Sequence, residues 1–204
     1  MQASEPVEQI RVRTFGGLTI YFNGSPITVM WESQKARLLF CYLLITYDQW
    51  VHREKIIEAL WPGCNLAAGA KNFKTTLSRL RKSFQGARCL NPVLTQGEAL
   101  RLNHEEITVD ASEFKNNAIA GIKLLTRGET RKAKQHLERA LDLYTSDFLP
   151  EEPYDQTISA ARQELGEYNS SVIKSLEKIY TNDNEVDALE ALLSLKRLPF
   201  CQTV

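Results

Sequence analysis

Hydrophobic periodicity changes character once along this 204-residue chain, and it does so close to Asp110. Beyond that point the apolar residues fall on continuous helical stripes. Phe114, Ala118, Ile122 and Leu125 recur at steps of four and three, and Ala133, Leu137, Ala140, Leu141 and Tyr144 share one side of a second helix. Ahead of Asp110, short alternating runs mix with helical ones. IRVRTFG sets Ile10, Val12 and Thr14 against Arg11, Arg13 and Phe15, which is the period of a strand. GLTIYFNG and SPITV follow, separated by Asn23-Gly24, a strong hairpin turn signal. Such patterning predicts an α+β part over residues 1–110 and an all-α part over residues 111–204.

Within the front part, the three short runs read as a small antiparallel sheet. Ser33 is placed to cap a helix running to about residue 47, with Ala36, Leu39, Leu43 and Leu44 inward. Trp50 and Val51 make an extended link. A second helix, REKIIEALWPG, turns Ile56, Ile57, Leu60 and Trp61 inward and is stopped by Pro62 and Gly63. A third spans about residues 68–84, and VLTQGEALRL, within residues 93–103, folds at Gly97 into a hairpin. Sheet, three helices and a terminal hairpin describe a winged helix-turn-helix, in which the third helix enters a major groove about 12 Å wide and the hairpin is a wing.

Charge supplies the reason to expect a polyanion there. The chain carries 25 Lys and Arg against 25 Asp and Glu, yet the balance is uneven. From residue 71 to residue 101, Lys71, Lys74, Arg79, Arg81, Lys82, Arg88 and Arg101 face only Glu98. A solvated helix face ordinarily mixes signs, because opposite charges at i,i+4 stabilise it and like charges repel. Phe73, Leu77, Leu80 and Phe84 form the docking face of the third helix, which turns Lys71, Thr75, Ser78 and Lys82 outward and leaves Lys74, Arg79 and Arg81 on the flanks. Phosphodiester backbone is the leading partner for such a helix.

Other classes lack support in the sequence. There is no phosphate-binding glycine loop, no dinucleotide fingerprint, no H-E-x-x-H and no G-x-S-x-G, so no enzyme, cofactor or metal is expected. Cys41, Cys64, Cys89 and Cys201 have no metal-ligand spacing and read as reduced thiols. No apolar run reaches 18 residues and the start has no signal-peptide pattern, so a cytoplasmic protein without membrane contact is expected. Trp31, Trp50 and Trp61 are read as core rings. His52, beside Arg53, stands at a helix start, where it either touches phosphate or faces solvent.

Six runs carry a family resemblance: FGGLTI, KARLLFCYLL, VHREKIIEALWP, NFKTTLSRLRKSF, ITVDASEF and HLERALDLYTSDFLPEEPYD. In this order, across more than three quarters of the chain, they resemble the SARP-like bacterial transcriptional activators, which join an OmpR-type winged helix to a bacterial transcriptional activator domain. The resemblance implies a sequence-specific DNA-binding regulator, an activator that recruits RNA polymerase or another transcription component and often sits on direct repeats, where two copies could pair. It assigns DNA contact to Lys71, Lys74, Thr75, Ser78, Arg79 and Lys82 on the third helix and to Thr95, Gln96 and Arg101 on the wing. Thr75, Ser78 and Arg79 are the expected base readers. Where the family's wing has Gly-Tyr-Arg-Leu, this chain has Ala99-Leu100-Arg101-Leu102, so no wing tyrosine is available. The competing class is a protein-interaction adaptor that uses both parts without specific DNA binding.

The rear part reads as helical hairpins, similar to tetratricopeptide repeats but without a clean 34-residue period. Asp110 or Ser112 caps its first helix and Gly128 breaks it. DFLPEEPYD makes a rigid connection, and two further helices are expected over about residues 156–180 and 185–198.

Overall fold

The computed structural model describes residues 10–85 and 91–195; Arg88, Cys89, Cys201 and residues 196–198 of the last expected helix lie outside them. The chain runs β1 (Ile10–Arg13), β2 (Thr19–Phe22), β3 (Ser25–Ile27), α1 (Gln34–Ile45), β4 (Val51–His52), α2 (Arg53–Leu60) and α3 (Leu66–Gln85). It continues through β5 (Val93–Gln96), β6 (Ala99–Leu102), β7 (Ile107–Val109), α4 (Asp110–Thr126), α5 (Thr130–Leu143), α6 (Gln156–Asn182) and α7 (Val186–Leu195). Two compact units result. One holds residues 10–12 and Thr19–Val109; the other holds Arg13–Leu18 together with the residues from Asp110 onward.

The first unit is a winged helix. Its core forms where α1, buried at Ala36, Leu39, Phe40, Leu43 and Leu44, meets Ile56 and Leu60 of α2 and Phe73, Leu80 and Phe84 of α3. Ser33 caps α1 as its sequence position predicts, accepting from the Ala36 amide. Asn23 and Gly24 both adopt positive φ, the requirement of the tight turn joining β2 to β3. The sheet differs from expectation in one respect. Its order is β3-β2-β1-β7, and β7 pairs with β1 in parallel, Ile10 opposite Ile107 and Val12 opposite Val109, so the sheet is mixed. Parallel neighbours need a long crossover, here the whole three-helix region and wing, and local patterning carries no signal for it.

The second unit is a tetratricopeptide-like helical array. α4 and α5 approach closely because Gly121 has no side chain: a Cβ there would lie 2.6 Å from Leu137 Cγ and 3.2 Å from the Ala133 carbonyl oxygen. Lys134 of α5 bonds Glu185, just before α7. Burial pushes the Tyr180 hydroxyl above its ordinary pKa, so it stays protonated and donates to Glu138 at 3.0 Å. Asp155 caps α6 through the Thr157 and Ile158 amides. Arg162 then pins the preceding loop by donating to the carbonyls of Phe148, Leu149 and Glu152.

Into this helical unit runs the segment Arg13–Leu18. The alternation in the sequence groups Phe15 with Arg11 and Arg13, but β1 ends at Arg13 and both Thr14 and Phe15 are buried. The Phe15 ring packs against Phe114, Tyr144 and Phe148, with centroids 5.6, 4.7 and 6.4 Å away. Backbone bonds Gly16 N–H to Asp147 and Leu149 N–H to Thr14 hold the segment like an extra strand. Its chief anchor is the Asp110 carboxylate, which accepts from the Thr14 amide, the Thr14 hydroxyl, the Phe15 amide and the Ala111 amide.

Two substitutions probe these close fits by urea unfolding. Asp110→Ala strands several buried donors and is expected to lower stability by about 3 kcal/mol. A loss below 1 kcal/mol would mean that water replaces the carboxylate. Gly121→Ala, which forces α4 and α5 apart, is expected to cost about 1–3 kcal/mol although it adds a good helix former.

Candidate nucleic-acid interface

The exposed side of α3 is built from its buried side. Asn65 starts the helix, its side chain accepting from the Ala68 amide at 2.9 Å and its carbonyl from the Gly69 amide at 2.8 Å. One turn on, Gly69 lets α3 lie against α2, since a Cβ there would come 2.7 Å from Ile57 Cγ2. Phe73, Thr76, Leu80, Ser83 and Phe84 are then buried, and Trp31, Phe40 and Phe84 stack their rings at 5.0–5.8 Å beneath the helix. With that face docked, Lys71, Lys74, Thr75, Ser78, Arg79 and Lys82 are all exposed.

Their charges are not equally available. Lys82 bonds Glu32 at 3.0 Å, while Glu32 is itself held through its amide by the Ser83 hydroxyl. Arg81, on one flank, donates to Asn91 just ahead of the wing. Among the described residues, no carboxylate pairs with Lys71, Lys74 or Arg79. Thr75 spends its hydroxyl hydrogen on the Lys71 carbonyl, leaving its oxygen lone pairs and methyl outward. On the opposite flank from Arg81, an open groove separates α3 from the start of α1. Gln34, Lys35, Trp61, Lys71, Thr75 and Arg79 line it, and no acidic residue does.

The wing is the β5–β6 hairpin, extended by β4 into a three-stranded sheet. Gly97, at φ +58, makes its turn, and Thr95 and Gln96 are exposed on it. Arg101 points elsewhere: its guanidinium lies 4.7 Å from the centre of the Trp50 ring, and its Nε is buried without a hydrogen-bond partner. Trp50, read from sequence as a core ring, is instead 40% exposed and serves as the platform for that arginine. Trp31 is half-buried with its ring against Phe40 and Phe84, and Trp61 borders the groove near the Lys35 ammonium. At the wing turn Glu98 meets Arg53 at 2.6 Å and His52 at 3.3 Å, while His52 Nδ1 accepts from the Glu54 amide and caps α2.

Sequence reasoning found the exposed residues of α3 but not the features that hold them. The Asn65 cap and the Gly69 contact have local signals, a cap residue three positions before an amide it satisfies and an isolated glycine inside a helical pattern. The Lys82–Glu32, Arg53–Glu98 and Trp50–Arg101 pairs span up to about fifty positions and have no such signal. Asn65→Ala is expected to cost about 1 kcal/mol and to speed amide exchange selectively in the first turn of α3, as measured by hydrogen exchange. Unchanged exchange at residues 66–69 would show that the turn is held by packing alone.

Comparison with known proteins bears on both units. Residues 109–198 match the bacterial transcriptional activator domain. Among solved structures the chain is similar to EmbR of Mycobacterium tuberculosis, determined in complex with a low-affinity phosphopeptide, with 19% identity and a TM-score of 0.58. That likeness is one of fold; it covers 90% of this chain and 58% of the EmbR chain, so this chain spans less than two thirds of that protein. No curated protein matches the chain in sequence. The architecture is a winged helix followed by a helical unit that matches the bacterial transcriptional activator domain. Among the described residues no helix is long and apolar enough to cross a membrane.

Proposed function

We propose that this SARP-like chain is a sequence-specific DNA-binding transcriptional regulator, and that it activates. One observation carries the reading: Lys71, Lys74 and Arg79 stand exposed on a single docked helix with no carboxylate paired to them among the described residues. Concentrated, unneutralised positive charge on a helix of this length suits a duplex, whose phosphates supply the missing counter-charge. On this reading α3 enters the major groove, Thr75 and Ser78 face base edges, and Lys71, Lys74 and Lys82 contact backbone. Lys82 exchanges Glu32 for phosphate, a cheap exchange because exposed ion pairs are worth about 0–1 kcal/mol. Thr95 and Gln96 of the wing reach the adjacent backbone. Arg101 contributes by bracing the wing on Trp50, with its terminal nitrogens left to meet phosphate.

The work divides between the parts read from sequence. Residues 1–110 supply the DNA contacts, and residues 111–204 recruit RNA polymerase or another transcription component, or bring a second copy onto a direct repeat. The match over residues 109–198 supports this assignment of the rear part. A pair of copies on tandem sites gains effective concentration, worth up to about 10² to 10⁴ in apparent affinity where the geometry allows.

The reading is tested by selecting the full chain against a randomised duplex library and titrating the enriched sequence at several salt concentrations. Neutralising Z phosphates gives a slope near −0.9Z, so about six to ten contacts lose roughly 10³ to 10⁵ in affinity between 50 and 200 mM salt. An enriched sequence, that steep slope and stimulated transcription from a promoter carrying the sequence are expected. A flat salt response with no enrichment would transfer the molecule to the protein-adaptor class.

A further inference from the structure

We propose that the groove between the start of α1 and one flank of α3 seats the sugar-phosphate backbone of a single DNA strand, and that Arg79 grips phosphate there instead of reading a base. The proposal rests on the DNA-binding reading and reverses the role that sequence alone suggested for this arginine.

Dimensions supply the first argument. A helix with its side chains is about 10–12 Å across, and the major groove is about 12 Å wide, so a helix lying in it fills it from wall to wall. Only side chains at its apex reach base edges. Those a quarter-turn round meet the walls, which are the two phosphate strands. At about 100° per residue, Arg79 is a quarter-turn from Ser78, on the side away from Arg81. The structure agrees with that placement, for Arg79 lines the groove facing α1 whereas Arg81 reaches Asn91 beside the wing. The apex between them carries the short polar side chains Thr75 and Ser78 together with Lys71 and Lys82, and no acidic residue.

The opposite wall of the groove is also prepared for an anion. Lys35 does not sweep freely through solvent: its ammonium donates to the Leu60 carbonyl at 2.6 Å and lies 5.8 Å from the centre of the Trp61 ring. Those contacts fix the position of the charge without neutralising it, and two of its three donors remain for a ligand. With Lys71 and Arg79 across the groove, three cations line a channel containing no carboxylate. A linear polyanion satisfies all three along its length, as a single small anion would not. The wing stands at the other flank of α3, so the two strands bounding one major groove would be held by separate elements: α1 and Arg79 on one side, Arg81 and the wing on the other.

The test compares the full chain with Arg79→Ala, Gln34→Glu and Ser78→Ala variants over a randomised duplex library, with affinities measured across salt concentrations. Gln34 opens α1, so a glutamate there lies where the helix dipole favours it, and the unfolding midpoint is expected to hold or rise while binding weakens. Arg79→Ala and Gln34→Glu are each expected to weaken all sequences by a common factor and leave the ranking of sequences unchanged. Arg79→Ala also flattens the salt slope by about one unit. Ser78→Ala, by contrast, alters preference at one base pair. The groove assignment is overturned if Arg79→Ala relaxes preference at one position with the slope unchanged, or if Gln34→Glu leaves affinity untouched. A wild-type chain showing neither enrichment nor salt dependence overturns the DNA-binding reading itself, and the groove assignment falls with it.

Discussion

The Asp110 carboxylate is the point at which the two halves of the sequence become interdependent. It gathers donors from Thr14 and Phe15, nearly a hundred positions earlier, while also holding the Ala111 amide at the start of α4. A carboxylate at the start of a helix is favourable for electrostatic reasons alone. Here it also decides where Thr14 and Phe15 go. Once the Phe15 ring is committed to Phe114, Tyr144 and Phe148, the helical array includes a residue from the front of the chain. The loop at residues 147–151 follows suit: Leu149 takes a positive φ of 42° that is costly for leucine, offset because its amide reaches Thr14 and its carbonyl receives Arg162. The chain therefore passes between its compact units at three places, and a cut at Asp110 would separate Phe15 from its partners.

A comparable constraint sets up the candidate interface. Gly69 brings the backbone of α3 close to Ile57, and the buried side of the helix follows from that approach. Ser83, buried near the other end, bonds the Arg79 carbonyl and receives the Glu32 amide, which draws the segment before α1 alongside α3. The groove lined by Lys35 and Arg79 exists because that segment is held there. Packing thus determines more than which residues of α3 are exposed. It fixes what each exposed residue has beside it, and this neighbourhood separates Arg79 from Ser78 although they are adjacent in sequence.

How much of this was legible in the sequence follows the range of the interactions. Ser33 as a cap, Asn23-Gly24 as a turn, Gly97 as the wing turn and Gly128 as a helix breaker are decided within a few residues, and all stand in the structure where the sequence puts them. The amphipathic stripe of α3 is equally local, so its exposed set could be read in advance. Phe15 could not. Strand alternation groups it with Arg11 and Arg13, but the end of β1 at Arg13 is decided by Asp110 rather than by the strand itself. Trp50 was misread for a related reason: a large ring favours burial on average, but its actual partner is an arginine some fifty positions away. Parallel pairing of β1 with β7 is the same kind of fact, invisible until both ends of a crossover are known.

Charge pairing within the chain provides an internal comparison for the reading of α3. On α5, Lys132, Lys134 and Arg139 each meet a carboxylate, on their own helix or across to Glu113 of α4 and Glu185 before α7. Among the described residues, Lys82 alone of the α3 cations does so. A general shortage of acidic residues is not the cause, since the chain holds equal numbers of each sign. Nor is exposure, because the partnered lysine Lys132 is 70% exposed. Like charges three or four positions apart, as in the pairs Lys71–Lys74 and Arg79–Lys82, destabilise a helix by a few tenths of a kcal/mol per pair. The helix tolerates that cost because Phe73, Leu80 and Phe84 bury large apolar area, each such side chain being worth about 1.5–3 kcal/mol. With no acidic residue of its own, α3 gathers five cations that share one carboxylate partner among the described residues, which concentrates positive field at one place. That is the physical condition for recognising an extended anion, and it makes the neutral overall composition compatible with a nucleic-acid interface.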